Sequence, residues 1–141
     1  MGTQQILLIV LSVIIVGIAV AVGIAMFNNQ AINSAEAACI SDMSNFSAIA
    51  MAYYRTPSSQ GGSSYGSSNW DADHIAAYVG IGYDSGTSAT LVTDNGTFVV
   101  SLGTGTIVFT CTPKEPGLAA KHTAIVYTYT INTGAGVVTY T

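Results

Sequence analysis

The sequence predicts an α+β protein, with a long N-terminal α-helix packed against a C-terminal antiparallel β-sheet. Three observations carry that expectation. Ile6 to Phe27 contains no polar side chain except Ser12. From Ile32 to Tyr53 apolar residues recur every three or four positions, and after Gly23 neither Gly nor Pro interrupts the chain until Pro57. From Thr90 onward the period changes to short β-branched and aromatic runs separated by turn residues.

Composition sets the frame. The chain has 141 residues, enough for one ordinary domain. Only 7% of it is charged, against roughly 25% in soluble domains. No Asp, Glu, Lys, Arg or His precedes Glu36, so the formal charge of −4 falls entirely on the later part. An acidic surface without a basic run argues against nucleic acid as a partner. Ser, Thr, Asn and Gly must supply the solubility of the exposed part, as is common in extracellular proteins.

The apolar run Ile6–Phe27 would span ~33 Å as a helix, close to the ~30 Å hydrocarbon core of a bilayer. It is longer than the apolar core of a secretory signal, and no Lys or Arg precedes it. Ala35-Glu36-Ala37 has the small-x-small form of a cleavage site but lies well beyond the run. The opening Met1-Gly2-Thr3-Gln4-Gln5 lacks the Ser or Thr at position six that myristoylation requires. Small residues recur four apart, at Gly17, Ala21 and Ala25 and again at Ala19 and Gly23. Such rows let membrane helices approach closely, although Gly and Ala are also simply frequent in membrane helices.

The helix is expected to continue past the membrane. Ile32, Cys39, Met43, Phe46, Ala50 and Tyr53, flanked by Ala35, Ile40 and Ile49, form one amphipathic stripe. A single helix from about residue 3 to about residue 54 would be ~75 Å long, too long to bury itself in so small a domain. Tyr54-Arg55-Thr56-Pro57 ends it, because the residue before Pro avoids the helical region.

Ser58 to Asn69 reads as a Ser/Gly loop, and Trp70 to Val79 as a short helix or turn capped by Asp71 or Asp73. Thr90–Thr93 and Thr97–Leu102 form a hairpin around Asp94-Asn95-Gly96. Thr106–Thr112, Thr123–Asn132 and Val137–Thr141 supply further strands, with Pro113–Lys121 as a loop. Four or five strands in a meander follow, one face packed on the 32–53 stripe. The expected organisation is a membrane or filament-core helix over 1–27, its amphipathic continuation over 28–56, a connecting region with a short helix over 57–89, and the sheet over 90–141.

Cys39 lies on the helix stripe and Cys111 in a strand, so sheet-on-helix packing would let them meet. A disulfide is expected for an exported head and would be worth ~4 kcal/mol in the chain-entropy picture. The alternative is two buried free thiols. Other signals are weak. Asp71-Ala72-Asp73-His74 lacks a metal-ligand spacing and reads as a helix cap. Asn45-Phe46-Ser47 and Asn95-Gly96-Thr97 match the glycosylation sequon, but helix polarity and the turn account for them. The aromatic residues read as core or cross-strand residues rather than as an electron path. No Ser/His/Asp or Cys/His grouping and no phosphate loop stands out, so neither an enzyme nor a cofactor is expected.

One long helix, apolar then amphipathic, followed by a loop and an antiparallel sheet, resembles a bacterial type IV pilin or type II secretion pseudopilin. Gly2-Thr3-Gln4-Gln5-Ile6-Leu7-Leu8-Ile9-Val10-Leu11 and Tyr53-Tyr54-Arg55-Thr56-Pro57 with its Gly/Ser loop resemble pilin-like proteins too. The resemblance in architecture covers the chain, and that in sequence mainly its first 60 residues. It implies a mature form, since the short basic leader of pilins does not precede this sequence. It implies an assembly contact at Met1 and residue 5, where pilins usually carry a Glu that pairs with a neighbour's N-terminal amine. Gln5 can hydrogen-bond there but cannot neutralise a charge. The Pro that often kinks such helices is missing, and Gly17 and Gly23 could loosen the helix instead.

The expected function is therefore a structural subunit of an extracellular type IV pilus-like filament. The subunit waits in the inner membrane, is lifted out by assembly machinery, and becomes one copy in a helical homo-oligomer on the cell surface. A membrane-anchored minor pseudopilin or adhesin head is the alternative.

Overall fold

A computed structural model describes residues 2–80 and 89–141. Met1, and the 81–88 part of the expected connecting region, lie outside the described residues. The fold is α+β, as the sequence predicts. In order along the chain come α1 (Gly2–Arg55), a short 3-10 turn (Ser58–Gln60), α2 (Ala72–Val79), β1 (Thr90–Val92), β2 (Gly96–Gly103), β3 (Thr106–Pro113), α3 (Pro116–Lys121), β4 (Ile125–Thr130) and β5 (Ala135–Tyr140). The chain divides into two compact units, Met1–Ser34 and Ala35–Thr141.

The first unit is helix alone. Within α1, one apolar stretch is long enough to cross a membrane, with mean hydropathy 3.2 over its best window. None of that window is buried among the described residues.

The second unit holds the core. β1 to β5 form one antiparallel sheet in sequence order, the expected meander. Its inner face carries Leu91, Phe98, Val100, Ile107, Phe109, Cys111 and Ile125, all buried. Against it lie Cys39, Met43, Phe46, Ala50 and Tyr53 of α1, which repeat at four and three residues as a helix facing a sheet requires. Phe46 is the centre of this contact, with its ring 5.2 Å from that of Phe98 and 6.1 Å from that of Phe109. Ser47 is buried as well, and its hydroxyl donates to the Ser44 carbonyl at 2.7 Å, which satisfies it locally.

Two local features differ from the sequence expectation. Pro113–Lys121 is not all loop, since Pro116 opens the short helix α3, whose Leu118 is fully buried. A Pro at the first helical position loses no hydrogen bond, so here it starts a helix rather than preventing one. The Asp94-Asn95-Gly96 hairpin forms, but neither Asn95 nor Gly96 has positive φ. The glycine serves close approach instead. A Cβ on Gly96 would stand 2.6 Å from the Thr112 carbonyl oxygen and 3.1 Å from the Cys111 Sγ.

Candidate functional site

Gly17, Ala19, Ala21, Gly23 and Ala25 all sit on exposed helix surface, and among the described residues nothing beyond the helix's own nearby backbone lies within 4 Å of a Cβ built on Gly17 or Gly23. At about 100° per residue, Gly17, Ala21 and Ala25 share one side. Ala19 and Gly23 fall roughly opposite. The segment thus offers two narrow low-bulk faces among exposed Ile, Val and Leu side chains such as Val16 (61%) and Ile18 (61%). Gln5 is exposed on the first turns of the same helix. Met1, the other expected assembly residue, lies outside the described residues.

In the second unit the two cysteines meet, as the sequence suggests, but the expected disulfide is not formed. Cys39 and Cys111 are both free and fully buried. Burial pushes both thiols up, and the two are in hydrogen-bonding contact. Disulfide exchange proceeds through the thiolate, which this apolar setting suppresses. The Cys39 thiol also approaches the Asn95 carbonyl oxygen at 3.7 Å.

Around that pair two polar links tie α1 to the sheet, and sequence reading missed both. The Asn95 side-chain amide donates to Asp42 Oδ2 at 2.7 Å, fastening the β1–β2 hairpin to the helix. The Lys121 ammonium donates to Glu36 Oε2 at 3.0 Å. That bond, with a further one from the Tyr140 hydroxyl, holds the Glu36 carboxyl below the usual range. The Tyr140 hydroxyl is correspondingly pushed up by Glu36. The partners are 53 and 85 residues apart in the chain, so no local spacing signals them.

The end of α1 is closed by the Ser/Gly run. Ser63 N–H donates to the Tyr53 carbonyl at 3.1 Å and Tyr65 N–H to that of Tyr54 at 2.8 Å. These bonds satisfy carbonyls that a helix end leaves open. Tyr53, Tyr54, Tyr65, Trp70 and Tyr78 cluster there, with Tyr53 and Trp70 stacked at 6.3 Å and Tyr54 and Trp70 edge-on at 4.9 Å. These are contacts of α1 with the following loop and with α2 rather than cross-strand pairs.

Asp71 is the cap of α2. Its Oδ1 accepts from the His74 N–H at 2.8 Å and its Oδ2 meets the His74 ring at 2.8 Å. The bond from the His74 N–H is the main cause holding its carboxyl low. Asp73 Oδ1 accepts from the Ala89 N–H at 3.0 Å. Both carboxylates are thus engaged in shaping the backbone. Among the described residues no group of three or more His, Cys, Asp or Glu could hold a metal ion. Neither sequon is presented freely, because Asn95 is bonded to Asp42 and Ser47 is buried. Comparison with protein-family models, curated proteins and solved structures finds no match.

Proposed function

We propose that this chain is the structural subunit of an extracellular type IV pilus-like filament, held in the inner membrane before assembly and packed afterwards through its N-terminal helix. One observation carries the reading. A 54-residue helix begins with a membrane-length apolar stretch that no described residue covers. Such a surface is stable in lipid or against copies of itself, and in water it costs about 25 cal/mol for each Å² left exposed.

Lipid tails and leucine are about equally apolar, so leaving the bilayer for a helix bundle gains little from the hydrophobic effect. The bundle must be held by close packing and by contacts between heads. The two low-bulk faces, Gly17/Ala21/Ala25 and Ala19/Gly23, support a helix that touches neighbours on both sides. Gln5, in the exposed first turns, supplies a neutral hydrogen-bonding group to a neighbouring chain. An assembly motor outside this protein supplies the work of extraction.

The test is to shear cells that express the protein and image the released material. Thin regular fibres containing this chain support the filament. Retention of all of it with the membrane fraction supports a lone anchored head instead.

A further inference from the structure

Asn95-Gly96, at the tip of the β1–β2 hairpin, is the one Asn-Gly pair in the sequence. Glycine has no Cβ to shield its backbone nitrogen. That nitrogen can therefore attack the side-chain amide of the residue before it.

The hairpin presents the reacting atoms. Thr93 N–H donates to the Gly96 carbonyl at 3.0 Å, and Val100 N–H to that of Ala89 at 2.8 Å. Backbone groups alternate in direction along a strand, so the Gly96 N–H also turns toward Thr93. No return bond to Thr93 is made, and among the described residues that N–H is free. A cleft of about 270 Å³, lined by Ala35, Asp94, Asn95, Lys114 and Glu115, opens beside the amide and admits water.

The same amide holds the hairpin down. Its Nδ2 donates to Asp42 Oδ2 at 2.7 Å. The hairpin tip in turn covers the buried cysteine pair. The Asn95 carbonyl oxygen lies 3.7 Å from the Cys39 Sγ. A Cβ on Gly96 would come within 3.1 Å of the Cys111 Sγ.

We propose that Asn95 is a self-modification site, at which deamidation through the Gly96 nitrogen releases the hairpin from α1 and uncovers the two cysteines. The Gly96 nitrogen bonds to Asn95 Cγ, and the Cγ–Nδ2 bond breaks. Nδ2 leaves as ammonia, taking the proton of the Gly96 N–H. Water then opens the cyclic imide at either carbonyl, leaving aspartate or isoaspartate at position 95. The sum is amide and water to carboxylate and ammonium, with no oxidant and no enzyme.

Each product is wrong for the site. Aspartate sets a second carboxylate against Asp42 where an amide donor stood, and like charges in contact resist joint ionisation. Of the other charges on the cleft, Lys114 is offset by Asp94 and Glu115. Isoaspartate inserts an extra main-chain atom before Gly96, which is buried and already tight. A Cβ there would stand 2.6 Å from the Thr112 carbonyl oxygen. The change runs one way, so it acts as a clock on the folded head. All the groups involved belong to the second unit, and the inference does not need the filament.

The experiment holds full chain in detergent micelles at neutral pH and physiological temperature for weeks, with fragments weighed by mass spectrometry. The folded chain should gain the amide-to-acid mass at Asn95, with isoaspartate among the products. Its thiols should become open to alkylation in step with that gain. Fresh Asn95→Asp protein should show the same thiol reactivity at once. Asn95→Asp combined with Asp42→Asn should restore protection, because amide and carboxylate then simply change places. A folded chain that stays unmodified overturns the site, and guanidinium-unfolded chain, which should be modified, shows that the assay detects the change. Thiols that stay protected in Asn95→Asp overturn the release. So does a double variant as reactive as Asn95→Asp alone.

Discussion

At the scale of single residues, the polar links between helix and sheet make the head respond to pH in a definite direction. Glu36 is lowered in the folded state by Lys121 first and by Tyr140. A depressed carboxylate contributes stability that is fully present above its unfolded pKa, near 4.5, and lost as pH falls through the folded value. The pair is partly exposed, so its worth is on the order of 0.2–1 kcal/mol. Glu36→Gln should therefore lower Tm slightly at pH 7, and the gap to wild type should close at acid pH, once the pH has fallen below the lowered folded value. Equal gaps at both pH values would contradict the role given to Lys121. The cysteines give a second residue-scale prediction. Native protein should leave both thiols unreactive to an alkylating reagent at neutral pH, and protein in guanidinium should show both as free. A mass spectrum with no modified thiol after denaturation would show that the bond forms after all. That these two cysteines would meet was legible from a stripe position and a strand position. Their chemistry was not, because it depends on the apolar setting of the pair.

Among elements, the most legible was α1, because an unbroken apolar run leads into a stretch whose period and lack of Gly or Pro agree up to Pro57. Of the predicted stripe, Ile32, its first member, is only half-buried and belongs to the first unit, whereas Cys39, Met43, Phe46, Ala50 and Tyr53 are buried. Ser47 and Met51 are buried beside them, because a helix on a sheet covers more than one row of side chains. α3 was hidden by its proline, Pro116, since Pro breaks a helix from inside but opens one at the first position. The closure of α1 by the Ser/Gly run was hidden too, since a polar low-complexity stretch carries no periodic signal. Of the candidate assembly residues, the low-bulk rows were legible because their spacing is local to one helix. The Asp42–Asn95 and Glu36–Lys121 links were not, because tertiary packing alone brings them together. The helix-on-sheet contact itself can be tested at Phe46. Phe46→Ala removes a ring in contact with Phe98 and Phe109 and should cost about 3–5 kcal/mol. Denaturant unfolding followed by circular dichroism in detergent measures it, at the midpoint of the head transition. A loss below about 1 kcal/mol would mean that α1 does not anchor the sheet in this way.

On the scale of the whole molecule, the decisive feature is a division of labour along one helix. Residues 35–55 of α1 spend their apolar face on their own sheet, whereas no part of the preceding apolar stretch is buried among the described residues. In the proposed subunit its hydrophobicity sets membrane residence, and its shape sets whether copies can pack. These two properties separate by mutation. Gly17→Leu or Ala21→Leu keeps the stretch apolar, so insertion in the membrane should be unchanged or slightly better. Each adds bulk to one of the two low-bulk faces and pushes neighbouring helices apart, so filaments should be lost. Because no described residue beyond the helix's own nearby backbone lies within 4 Å of a Cβ at Gly17, the fold of the head should be unaffected and serves as the internal control. Membrane fractionation, circular dichroism and electron microscopy of sheared material then give one pattern: protein present, folded and membrane-bound, with no fibres. Ile18→Leu, a swap of one bulky side chain for another outside both low-bulk rows, should leave fibres intact. Normal fibres from both small-to-large variants would show that close packing at these rows does not hold the assembly. The burden would then pass to the heads.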